Sequence, residues 1–167
     1  MSPYNETKAQ FIHGLHNLSA ILEKGAVWAT ENHTAEDKLL NARLAEDMFP
    51  LVRQVQVSSD MAKRAVARLA GVEAPVMEDN ETSIAELQAR IAKTIAWLES
   101  VADAELEGDE EREILVKARE HELRFTPRSF VFSFAIPNFY FHFTTAYDIL
   151  RQAGVPLGKR DFLGKIN

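Results

Sequence analysis

The chain has no cysteine among its 167 residues, which excludes disulfides, thiol nucleophiles and thiolate metal sites. It is also short of positive charge. Its 19 Lys and Arg face 25 Asp and Glu, giving a formal net charge of -6 and a pI near 5.4. Nucleic-acid binding needs a cationic surface to displace counterions, so nucleic acid is not an expected partner. The sequence contains no Gly-rich phosphate loop and no Gly-x-Ser-x-Gly nucleophile elbow. No signal-peptide pattern opens it at MSPYNETK, and with no disulfide framework a cytoplasmic location is expected. What is present is globular: 46% hydrophobic and 26% charged residues. The length suits one domain, 1–167, able to bury a core without staples.

Hydrophobic periodicity predicts four long helices. The first runs from about Glu6 to Ala29, with Phe11, Leu15, Leu18 and Leu22 on one stripe. Thr34 is expected to cap a short piece, Ala35 to Leu40. The second helix is expected to start near Asp47 as N-cap, with Pro50 in its first turn, and to end at Gly71. Met48, Val52, Val55, Ser59, Ala62, Val66 and Leu69 form its inward stripe. Val72 to Thr82 reads as a loop. Ser83 and Glu86 make a capping-box pattern for the third helix, whose stripe is Ile84, Leu87, Ile91, Ile95 and Leu98. After an acidic run from Asp103 to Glu113, Ile114 and Val116 and then Leu123 and Phe125 alternate with polar residues, a pattern for a short β-hairpin. Thr126-Pro127 opens the fourth helix and Gly154 closes it. Phe162 and Leu163 are expected to dock the tail. The fold class is therefore all-α, an up-down four-helix bundle with a hairpin before the last helix.

Between Arg128 and Asp148 no residue is charged, and eight of the chain's fifteen aromatic residues fall there. The stretch approaches the roughly 20 residues of a membrane span. Ser129, Ser133, Pro137, Asn138, His142, Thr144 and Thr145 interrupt it, so a buried helix is expected and no membrane is a partner. At about 100° per residue, Asn138, His142, Thr145 and Ile149 cluster within about 60°, beside the face holding Phe139, Phe143, Ala146 and Leu150. His142 and Asn138 thus fall inside the apolar face. Pro137 removes a backbone donor and leaves the Ser133 carbonyl without its partner, favouring a kink there.

Two readings follow from these residues. In one, His142 is a neutral core histidine paired with a side chain or water, and Asn138 satisfies the freed carbonyl. In the other, a pocket between the second and fourth helices lets a ligand complete their hydrogen bonds. His13 and His16 have chelating spacing, but both project away from the Phe11 stripe and read as solvated.

The helix order, the hairpin and the ending ILRQAGVPLGKRDFLG resemble the DinB/YfiT-like superfamily. The blocks LNARLAEDMFPLVRQVQ, ELQARIAKTIAWLES and HFTTAYDILRQAGVPLGK resemble one of its domain-of-unknown-function branches, across nearly the whole chain. The resemblance implies three metal-binding histidines, one on the second helix and two, four apart, on the fourth, for divalent ions such as nickel or zinc. It also implies, for some members, thiol-dependent transferase or isomerase activity. Here His142 matches one histidine of the fourth-helix pair, Asn138 occupies the partner position, and the second helix has none. Gln56, Asp60 and Asp47 are the possible stand-ins. An amide oxygen is a poor replacement for imidazole at zinc or nickel, so no metal ligand and no cofactor are assigned. The expected site is His142 as general base or ligand contact, with Asn138, Gln56, Asp60 and Thr145 binding a small molecule. Whether the protein is an enzyme stays open. The alternatives are a non-catalytic interaction protein with a degenerate metal site and a divalent-metal-dependent transferase or isomerase. A homodimer is expected from the surplus aromatic surface of the fourth helix and from the resemblance.

Overall fold

The structure, a computed structural model, describes residues 2–118 and 120–165. Helix α1 spans Pro3–Glu31, capped by the Ser2 side chain and opened by Pro3, so it starts earlier than periodicity alone indicated. The short α2, Glu36–Leu40, follows. Thr34 does not cap it; its hydroxyl donates to the Asn32 carbonyl instead. Glu36 is spent elsewhere, accepting the Ile84 N–H at the start of the third long helix.

Helix α3 spans Leu51–Ala70 and begins at Pro50, not at Asp47. The residues before it fold into turns of their own, with Met48 N–H bonded to the Ala45 carbonyl and Leu51 N–H to that of Ala42. Those bonds hold the 42–50 segment off the helix axis, and proline, which lacks a donor, enters at the boundary. Gly71 ends α3 in the left-handed region at φ 69°. Helix α4, Ile84–Ser100, is capped by Ser83, which accepts the Glu86 N–H. The returning Glu86 carboxylate takes the Thr82 N–H and hydroxyl.

A single turn at Asp103–Leu106 leads to the hairpin, β1 Ile114–Ala118 and β2 His121–Phe125. Ile114 pairs with Phe125 and Val116 with Leu123, which puts the expected apolar residues on one face. The last long helix has three parts: α5 Pro127–Phe130, a π-helical turn Val131–Ala135, and α6 Ile136–Ala153. In that turn Ile136 N–H reaches back five residues to the Val131 carbonyl. Widening the turn just ahead of Pro137 accommodates the missing donor without breaking the helix. A final short helix, α7 Lys159–Leu163, lies on α1.

The long helices pack as a bundle in which α3 runs antiparallel to α6 and α1 antiparallel to α4, while α1 runs parallel to α6, with Gly14 against Phe139 and Gly25 against Leu150. Phe11, Leu15, Leu18, Val55, Val66, Phe130, Phe139 and Leu150 are fully buried where they meet. The tail docks through Phe162, stacked on Phe143 at 4.3 Å between centroids. Leu163 stays partly exposed, and its carbonyl is held by His13 Nε2 at 2.8 Å. His13 is therefore a tail fastener. No helix among the described residues is long and apolar enough to cross a membrane.

Candidate functional site

α3 is buried on a wide arc, and its polar side chains leave in two directions. With Val55 at zero, Gln54 and Ser58 lie at about -100° and -60°, toward α6. Gln56, Asp60 and Lys63 lie at about 80° to 140°, toward α4. Two separate polar centres result.

The first holds His142, buried on α6. Its Nδ1 lies 2.7 Å from Gln54 Oε1, and Gln54 Nε2 donates to the Phe49 carbonyl at 3.1 Å. This relay fixes the proton. Only the amide nitrogen can donate to a carbonyl, so Oε1 must face the ring, and Nδ1 must carry the hydrogen it accepts. His142 is thus the Nδ1–H tautomer. Its Nε2 has no protein partner among the described residues and keeps access to solvent. The Phe141 ring lies edge-on to the imidazole at 5.1 Å, and Phe141 is 57% exposed. Phe49, whose carbonyl anchors the relay, is 50% exposed with Arg53 over its ring. Burial, and then the nearby Arg53 charge, lower the imidazole pKa below its ordinary value.

That shift has a sign for stability. Between the folded and unfolded pKa values the unfolded chain binds more protons, so stability rises with pH. The His142 contribution is expected to be complete above pH about 6.5 and to fall as pH drops toward the folded pKa. NMR titration of the His142 ring should show a midpoint below the ordinary histidine value of about 6.5, and Gln54→Leu should move it.

Asn138 and Thr145 do not join this centre. Asn138 is half-buried and donates to the Phe134 carbonyl at 2.8 Å, not to that of Ser133. The π turn rotates it to the edge of the apolar face. Thr145 is buried but returns its hydroxyl to the Phe141 carbonyl of its own helix at 2.7 Å.

Gln56 and Asp60 belong to the second centre. There Arg90 of α4, with its side chain 2% exposed, lies 2.8 Å from Asp60, 3.0 Å from Asp79 and 2.9 Å from Glu81, and donates to the Glu78 carbonyl. Asp60 also meets Lys63 and Arg64. Gln56 donates to Glu81 at 2.8 Å and accepts from Arg53, which also pairs with Asp79. The network fastens the 72–83 segment across α3 and α4. Asp47 remains exposed in the segment before α3.

Sequence reasoning missed Gln54 because its polar side chain and wheel position place it beside the chosen stripe. One signal was available: a glutamine near the start of α3 could reach across to a histidine on the helix it packs against.

The family model for a domain of unknown function, DUF1993, matches residues 4–163. The chain belongs to this family. Among solved structures, the DUF1993 chain is similar to the crystal structure of a DinB family member protein from Shewanella denitrificans. The two share 43% identity over 98% of this chain and 92% of that one, with a TM-score of 0.88. A DinB-like fold is thereby shown. No curated protein matches the chain.

The three-histidine metal site implied by the superfamily does not fit this DUF1993 protein. One ring nitrogen of His142 is committed to Gln54, the Asn138 amide faces its own helix, and α3 offers glutamine and serine toward α6. Among the described residues no three His, Asp or Glu side chains come together as a metal cluster. Gln54 fixes one nitrogen of the ring, as the hydrogen-bond partner behind a metal-bound histidine does.

Proposed function

We propose that this DUF1993 protein binds a small molecule at the α3–α6 edge, through the outward Nε2 of His142. The relay from the Phe49 carbonyl through Gln54 to Nδ1 carries the reading. It holds a neutral imidazole whose remaining lone pair has no protein partner among the described residues, as a hydrogen-bond acceptor or general base requires. Phe141, edge-on to the imidazole, and Phe49, whose carbonyl anchors Gln54, are both half exposed and offer apolar surface nearby. Asn138, Thr145, Gln56 and Asp60, with other partners, contact no ligand in this scheme. A ligand with a hydroxyl or N–H donor beside an apolar group matches these surroundings, with no requirement for a metal.

Thermal-shift screening of a metabolite and metal panel tests it. Some hydrogen-bond-donating metabolite should raise the Tm of wild type and leave His142→Ala unmoved. A panel that shifts neither protein, or both equally, counts against the site, and a stoichiometric metal in untagged protein overturns the metal-free reading.

A second reading rests on exposed aromatic surface. Phe132, Phe141 and Phe49 are each about half exposed, a cost that association would relieve. We infer that a second copy of this chain covers Phe141 and Phe49 in a homodimer, making the His142 edge part of an interface. Sedimentation of wild type at micromolar concentration should show a dimer, and Phe141→Asp a monomer. A monomeric wild type sinks this reading and leaves the first in place.

A further inference from the structure

Between α4 and the 72–83 segment lies a groove of about 620 Å³, within the size range of small-molecule pockets. It is remote from His142 in its lining, which comes from Arg90, Lys93 and Trp97 on one side and Pro75, Val76 and Met77 on the other. Arg90, Lys93 and Trp97 follow each other at three- and four-residue steps, so they share one face of α4.

The polar capacity of the groove is unevenly used. Its carboxylates already accept: Glu81 from Arg90 and Gln56, Glu86 from Thr82, and Glu78 from Asn80. Two donors of the lining do not give. Lys93 is exposed and has no ion pair among the described residues. The Trp97 indole N–H has no acceptor among them either. Arg90 Nε is buried with no partner, although its two terminal nitrogens are fully engaged. Burial closes that nitrogen to a ligand, so the free donors of the groove are Lys93 and the Trp97 N–H. Beside these donors the wall is apolar, and Val76 is 95% exposed at its rim.

We propose that this groove binds a small organic carboxylate with an aromatic or apolar body. The carboxylate lies against Lys93 and the Trp97 N–H, and the body lies on Trp97, Met77 and the Pro75–Val76 rim. The charge-assisted contact to Lys93 selects the anion, and the apolar wall selects its body.

The chain has two tryptophans, so the test uses indole N–H signals in NMR spectra of the full-length protein, assigned with Trp28→Phe. The probes are 4-phenylbutyrate, its amide and 4-phenylbutylamine. Phenylbutyrate should shift the Trp97 signal saturably, leave Trp28 unmoved, and bind about tenfold tighter than the amide or the amine. Lys93→Ala should weaken it by about the same factor, and His142→Ala should leave it unchanged, separating this groove from the α3–α6 edge. The proposal is overturned by a lack of saturation within the probe's solubility, by equal or tighter binding of the amine, or by Lys93→Ala binding as wild type. A Trp97 signal that moves on simple dilution of the protein overturns it in favour of a second copy in the groove.

Discussion

Replacing Arg90 by methionine is expected to destabilise the protein by about 3 kcal/mol or more, which equilibrium urea unfolding would read directly. The reason is what the substitution leaves behind. Asp60, Asp79 and Glu81 all lie within 3.0 Å of the guanidinium, and Glu81 and Asp60 have side chains only 9% and 14% exposed. Without the cation, these carboxylates are desolvated and repel one another, and the Glu78 carbonyl loses its donor. Lys63 and Arg64 still reach Asp60 and Arg53 still reaches Asp79, so the loss stays near the lower end of the range for a broken buried pair. Adding Asp60→Asn and Glu81→Gln should recover part of it. Arg124→Met, which breaks only the exposed hairpin pairs with Glu113 and Glu122, should leave the unfolding midpoint unchanged.

The same network makes a prediction about acid. Burial raises the Asp79 pKa, but Arg53 and Arg90 outweigh it and hold the carboxyl below its ordinary range. A depressed folded-state carboxyl stabilises above its unfolded pKa, and the benefit is lost as pH falls through the folded value. Wild type should therefore lose stability more steeply than Arg90→Met below pH about 4.

Gly14→Ala should also destabilise, against its helix propensity. An alanine in a helix interior is worth about 1 kcal/mol over glycine, so helix propensity alone assigns the change a gain. In the structure a Cβ at Gly14 would sit 2.7 Å and 2.9 Å from Phe139 Cε1 and Cζ. That ring cannot retreat easily: it is fully buried, 4.9 Å from Phe11 and 5.2 Å from Tyr140. Overpacking of this kind costs about 1–3 kcal/mol, enough to reverse the propensity gain. Phe139→Leu, destabilising alone, should cost less in the Gly14→Ala background, with a favourable coupling of about 1 kcal/mol or more. Additive effects would show that α1 and α6 move apart freely at this crossing.

Most of the bundle was legible because its signals are local. The Phe11 stripe, the Ser83 cap, Gly71, the alternation around Val116 and Leu123, and Thr126-Pro127 each fix an element from a few residues. The start of α3 was misjudged because Asp47 has the chemistry of an N-cap, while the backbone bonds that exclude it depend on Ala42 and Ala45. His142 was legible as a buried imidazole, since apolar neighbours surround it in sequence. Its partner was not. Gln54 and Gln56 differ by two residues on one helix, and that step of about 200° sends one toward α6 and the other toward α4. Periodicity finds the apolar stripe but does not say which neighbour flanks each edge. The Arg90 network was unreadable for a related reason: its members come from α3, α4 and a loop, and only the packed fold assembles them.

The central claim is that Gln54 holds His142 as the neutral Nδ1–H tautomer, with Nε2 free to meet a ligand. Nitrogen NMR of protein carrying isotope-labelled histidine tests it most directly, at neutral pH, with Gln54→Leu alongside. The expected result is a pyridine-like Nε2 and a pyrrole-like, proton-bearing Nδ1 in wild type, with that preference lost in Gln54→Leu. A wild-type His142 protonated on Nε2, or charged at neutral pH, would contradict the account.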